Sequence, residues 1–278
     1  MRNILIGLII GTHAIASSAF NEYSLAEEKE IGRRTSEMFE TRVQVVHDSL
    51  IDAYFGDMAA KLAAHMESPF SYSIVVFEGR IPESSPAAAL LMPLDYMGTD
   101  VPEPISVAGG NVFVPLCMLA DAPREEWLVF QIAHAMAHIA SRHASRLESR
   151  LDVLRMVDLN QEPPDAAVTR RVALLSFSRR FELNADVASF YTMSAAGYDP
   201  ARVLPLDHVG KRDSEKLFPS LRVNAQRREE TLAKVVDRLP KRDYVRPETN
   251  FNRAKGIAAS RRQASPLSCA SQPTNHSI

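Results

Sequence analysis

The stretch EEWLVFQIAHAMAHIASRH, residues 125–143, decides how this chain folds. Pro123 precedes it at a helix start, and Glu125 and Glu126 fall in the first turn, where the helix dipole favours acids. From there Trp127, Leu128, Val129, Ile132, Ala133, Met136 and Ile139 leave no polar face, so the helix must lie inside the molecule with other elements packed around it. Two residues break the apolar surface. His134 and His138 stand four apart, which puts both imidazoles on one side of the helix. Buried imidazoles need partners. The pair fits either one shared metal ion or two core histidines satisfied separately.

A second helix bears on that choice. The sequence ELNAD begins at Glu182, 44 residues after His138, and Asp186 lies one turn beyond Glu182. A carboxylate able to bind a metal, followed at i+4 by an acid able to hold a histidine's remaining N–H, suits such a site. A solvated helix face paired with Arg179 and Arg180 is the plainer alternative, and the neighbours Phe181, Leu183, Ala185 and Val187 fit both. Asp165 caps this helix, and Gly197 and Pro200 stop it after Ala196. Towards the N-terminus, residues 24–42 predict a helix with a capping box from Ser24 and Glu27, and residues 49–66 a helix presenting Leu50, Tyr54, Met58 and Leu62. The alternating run SYSIVVF, 71–77, predicts a strand. Residues 79–104 hold five prolines and read as a loop, and 105–107 with 111–114 form a strand pair or one strand kinked at Gly109-Gly110. One or two helices are expected over 201–239.

The runs AGGNVFVPLCMLADAPREEWLVFQIAHAMAHIASRH (108–143) and SRRFELNADVASFYTMSAAGYDP (178–200) resemble metallopeptidase family 48, the CAAX-prenyl-protease, HtpX and Oma-like group. The early SLAEEKEIGRR resembles the start of that family's secreted bacterial members, so the likeness spans about 24–238. It implies an α+β, mostly helical zincin-like fold with a small sheet edging a metal cleft. It implies Zn²⁺ on His134, His138 and Glu182, with Asp186 and His143 supporting those ligands. Gly109, Gly110 and Asn111 match the edge strand on which the family holds an extended or unfolded polypeptide. The departures from the family pattern matter as much. Where the family has H-E-x-x-H, this chain has His134-Ala135-Met136-Ala137-His138, so the general-base position is Ala135 and no catalytic residue is intact there. Near Leu221-Arg222 a family His-Pro is missing, of the threonine/glutamate/arginine run after it only Arg227 is kept, and Asn184 replaces a common second glutamate. The expected activity is that of an exported pseudopeptidase. An active metalloendopeptidase using His143, His208 or Glu148 as base, or a metal-free interaction domain, are the other readings.

The 278 residues suffice for one large core or two small ones, and mean hydropathy is −0.14. Arg2, the apolar run 4–10 and small residues up to Ala19 read as a signal peptide over 1–19, with export to the periplasm or exterior. A metallopeptidase-like domain over 20–240 and a C-terminal extension over 241–278 follow, the latter disordered from about Ser260. Cys117, in an apolar run, and Cys269, in a polar tail, are expected to stay unbridged. Net charge is −2, but residues 20–210 carry 16 basic against 27 acidic side chains, and 211–262 carry 15 against 7. The basic part is expected to fold back on the acidic body, with peripheral contact to an anionic membrane as the alternative. Few aromatics accompany the basic residues, which speaks against nucleic acid.

Overall fold

The computed structural model describes residues 21–78, 103–158, 165–206, 225–244 and 249–264. The expected signal peptide over 1–19, the proline-rich 79–102, His208, Leu221 and the tail from 265 lie outside the described residues. The architecture is α+β: eight α-helices among the described residues, and one mixed four-stranded sheet.

Helix α1 (Leu25–Glu40) starts on the expected capping box, with Ser24 Oγ accepting from Glu27 N and Glu27 Oε2 accepting from Ser24 N. Strand β1 (Gln44–Val45) leads to α2 (Ser49–Ala63), whose N-cap Asp48 accepts from the backbone of Leu50 and Ile51. Strands β2 (Ser73–Glu78), β3 (Ile105–Val107) and β4 (Asn111–Pro115) complete a sheet of order β1-β2-β4-β3. Strand β4 runs parallel to β2, with Ser73 opposite Asn111, and antiparallel to β3.

Strand β4 therefore alternates between two apolar cores. Val112 and Val114 face the main one with α2 and the histidine helix, while Phe113 joins Phe39 of α1, Phe77, Ile105 and Val107 on the other side. A strand covered on both faces reads as continuous apolar sequence, as NVFVP does.

This topology corrects the edge-strand expectation. Asn111 begins an interior strand whose two sides are both paired, and the outer strand is β3. Gly109 and Gly110 sit in the turn between β3 and β4 with φ of 84° and 123°. Backbone does approach them closely, but it is the protein's own: a Cβ on Gly110 would meet the Ser71 carbonyl oxygen at 2.0 Å, and one on Gly109 the Lys29 Cα at 3.0 Å. Asn111 donates from Nδ2 to Ser36 Oγ of α1.

The short helix α3 (Leu116–Asp121) carries Cys117, which is disulfide-bonded where a free thiol was expected; the other cysteine, Cys269, lies outside the described residues. Helix α4 (Glu125–Ala140) is buried almost throughout, as its sequence requires. Even its first-turn acids are inside: Glu125 accepts from the Tyr54 hydroxyl at 3.1 Å, and Glu126 pairs with Arg202 at 3.1 Å. Helices α5 (His143–Asp158) and α6 (Asp165–Ala195) follow, then a 3₁₀ turn (Pro200–Val203), α7 (Ala225–Arg238) and α8 (Thr249–Ala264).

Helix α8 lies in the C-terminal extension beyond residue 240. Phe251, Ala254 and Ala258 are buried in the main core against α2 and α3, so the folded body reaches Ala264 and the stretch from Ser260 is helical that far. The basic C-terminal part does fold back on the acidic body: Lys255 donates to the Ala122 carbonyl at 2.6 Å, Arg261 lies 3.7 Å from Asp48, and Arg262 pairs with Asp121. No helix among the described residues is long and apolar enough to cross a membrane.

Candidate metal centre

Helices α4 and α6 cross inside the molecule, with Phe130 of α4 edge-on to Phe190 of α6 at 5.5 Å. One side of that crossing carries the histidines and the other the acids of ELNAD. His134 Nε2 and His138 Nε2 lie 3.0 Å apart. Glu182 reaches between them, with Oε2 3.2 Å from His134 Nε2 and Oε1 3.4 Å from His138 Nε2. Zinc held at 2.0–2.1 Å in a tetrahedron separates its ligand atoms by about 3.3 Å. The two imidazole nitrogens and the two carboxylate oxygens lie at separations of that order, one oxygen nearest each ring, and one ligand atom from each residue can be chosen with all three within 4.8 Å of one another. Among the described residues this is the one group of three such side chains able to hold a metal ion.

The remaining ring nitrogens are engaged as well. His134 Nδ1 lies 3.0 Å from Asp186 Oδ1, turned so that the contact is a close charge pair rather than an aligned hydrogen bond. Asp186 has no exposed surface and accepts two bonds from Arg228, at 2.5 and 2.7 Å. His138 Nδ1 lies 3.1 Å from His143 Nδ1, and the His143 ring stacks on Phe181 at 4.2 Å. Neither Glu182 nor Asp186 turns to Arg179 or Arg180 as on a solvated face; both face inward.

The electrostatics favour positive charge at this spot. Burial opposes a charge on His134, but Asp186 and Glu182 outweigh it and hold its pKa up, to about 9. Burial pushes His138 down to about 4 and His143 to about 2. The Glu182 and Asp186 carboxyls resist burial's upward push and stay below the usual carboxylate range, held there by the histidines and, beside Asp186, by Arg228. Without a metal ion, Arg228 and one proton among the three imidazoles answer the two carboxylates. Two neutral Nε2 atoms and a carboxylate oxygen form a donor set suited to zinc.

Ala135 is 3% exposed and stands three residues before His138, on the side of α4 that faces the triad. Among the described residues of the triad and its supports, no further carboxylate stands where the missing side chain would be. His143 cannot take its place, since it is buried and committed to His138. Sequence reasoning missed Arg228, choosing its neighbour Arg227, which is exposed. Nothing local in QRREE distinguishes the two; the packing of α7 on α6 does. No protein-family model matches the chain.

Proposed function

We propose that this protein is a zinc-binding metallopeptidase homologue of the zincin-like type that holds its metal without cutting peptide. The observation that carries the reading is the cluster of His134, His138 and Glu182: the two Nε2 atoms lie 3.0 Å apart, and the Glu182 carboxylate sets one oxygen 3.2 Å from His134 and the other 3.4 Å from His138. When bound, zinc would supply a Lewis acid. His134 and His138 would hold it through Nε2, and Asp186 and His143 would fix the two rings from behind. What position 135 lacks is a proton acceptor, because a methyl group stands there. A positioned general base contributes roughly 10²- to 10⁴-fold to rate. An extended polypeptide would add along the outer side of β3, which rests against α4 and has no strand partner there among the described residues. Export and membrane contact remain expectations of the leader and of the basic C-terminal part.

Cleavage of an unfolded casein-type substrate by zinc-loaded protein tests the reading. The wild type should show background hydrolysis only, and Ala135→Glu should raise the rate at least about a hundredfold. Adding Leu221→His, which restores a transition-state donor, should give a further ~10²-fold. A wild type already as fast as Ala135→Glu overturns the proposal.

A further inference from the structure

Helices α4 and α5 are joined by an elbow in which Arg142 has φ of 56°, the sole positive φ outside glycine among the described residues. Its N–H donates to the Ile139 carbonyl that ends α4, and its carbonyl accepts from Arg146 to start α5. This left-handed position past a helix end is ordinarily filled by glycine or asparagine, because a Cβ there crowds the following carbonyl. An arginine in it needs holding.

The N-terminal segment and α1 supply the hold. Arg142 Nε donates to Glu28 Oε1 at 2.6 Å, and the same guanidinium donates to the Tyr23 carbonyl. Glu28, on α1 and 2% exposed, also accepts from Ser145 at 2.7 Å and from Asn21 at 3.2 Å. A buried carboxylate with three donors ties α1 and the segment before it to the elbow. The elbow in turn aims the next residue, His143, at His138 Nδ1, while Phe181, the neighbour of Glu182, backs the ring. Of the two facing Nδ1 atoms only one can carry a hydrogen. With His138 using Nε2 as a ligand atom, His138 donates and His143 accepts, which leaves the proton of His143 on Nε2. That Nε2 is buried with no hydrogen-bond partner among the described residues. Core packing alone does not call for an unpaired donor there; orienting His138 does.

We propose that Glu28 and Arg142 are positioning residues for the metal site: their pairing holds the elbow left-handed, and the elbow sets His143 and through it the ring of His138. The inference rests on the reading of His134, His138 and Glu182 as zinc ligands. It makes zinc affinity depend on the backbone conformation of residue 142, which touches no ligand.

The test is zinc affinity of the full chain, by competition with a chromophoric chelator. Arg142→Ala and Arg142→Gly both lose the guanidinium and differ in their ease of adopting positive φ, so Arg142→Gly should bind zinc about fivefold or more tighter than Arg142→Ala. In a His143→Ala background, itself about 10- to 100-fold weaker, the difference should vanish. Should Arg142→Ala not fold, Glu28→Gln carries the comparison: it should bind zinc severalfold more weakly than wild type, and Arg142→Gly in the same chain should restore the affinity. Equal affinities for the glycine and alanine variants, or a difference that persists without His143, overturns the inference while leaving the zinc site standing. A wild type that takes up no zinc removes the site itself.

Discussion

At Asp186 a carboxylate with no exposed surface is held between Arg228 and His134. Taking a charge out of water is costly, and removing one partner of a buried pair leaves the other uncompensated, a loss of about 3–5 kcal/mol. Arg228→Ala should therefore destabilise the protein by that amount in denaturant unfolding, and a loss under about 1 kcal/mol would mean water reaches Asp186. The same scale shows what a sequence can and cannot give. Helical periodicity puts His134 with His138, and Glu182 with Asp186, each on one face, but joining the two pairs into one site came from the family resemblance. Arg228 was not legible, because a choice between adjacent arginines depends on how α7 lies against α6. The inward turn of Glu182, away from Arg179 and Arg180, was likewise open until the two long helices were seen to cross.

Among the elements, α1 and the β3–β4 turn meet with no space between backbones. A Cβ on Gly32 would lie 1.7 Å from the Ala108 carbonyl oxygen, whereas one on Gly56, exposed on α2, would meet nothing within 4 Å. Two identical substitutions should thus act in opposite directions. Gly32→Ala must push α1 off the turn and cost about 1–3 kcal/mol. Gly56→Ala should stabilise by about 0.5–1 kcal/mol, since alanine loses less backbone freedom in a helix. Urea midpoints of the two variants check both signs, and a stable Gly32→Ala would show that α1 does not press on the turn. Elements with strong local chemistry were read well from sequence: the Ser24 capping box, the apolar α4, the stop at Gly197. Helix α8 was missed because its buried stripe is Phe251, Ala254 and Ala258, two of them alanines, which give little apolar contrast against the arginines around them. The interior place of β4 was missed because its parallel pairing with β2 is a long-range fact that no turn residue encodes.

Across the whole molecule, the uneven charge resolves into a C-terminal part laid back over α2 and α3. Two kinds of contact hold it. The Arg262–Asp121 pair is partly open to solvent, and such pairs contribute at most about 1 kcal/mol. Phe251 is 4% exposed and packs in the main core near Tyr54, where removing an aromatic ring costs about 3–5 kcal/mol. Phe251→Ala should accordingly lower the thermal midpoint far more than Arg262→Ala. The reverse order would mean that charge, not burial, docks α8. At this scale too, the strands, α1 and α5 surround the crossing of α4 and α6, where His134, His138 and Glu182 come together as a candidate metal site. The most direct measurement of that account is the zinc content of the purified protein by native mass spectrometry, for wild type and His138→Ala side by side. One zinc per chain in the wild type and none in His138→Ala is the predicted result. The same sub-stoichiometric zinc in both would contradict it.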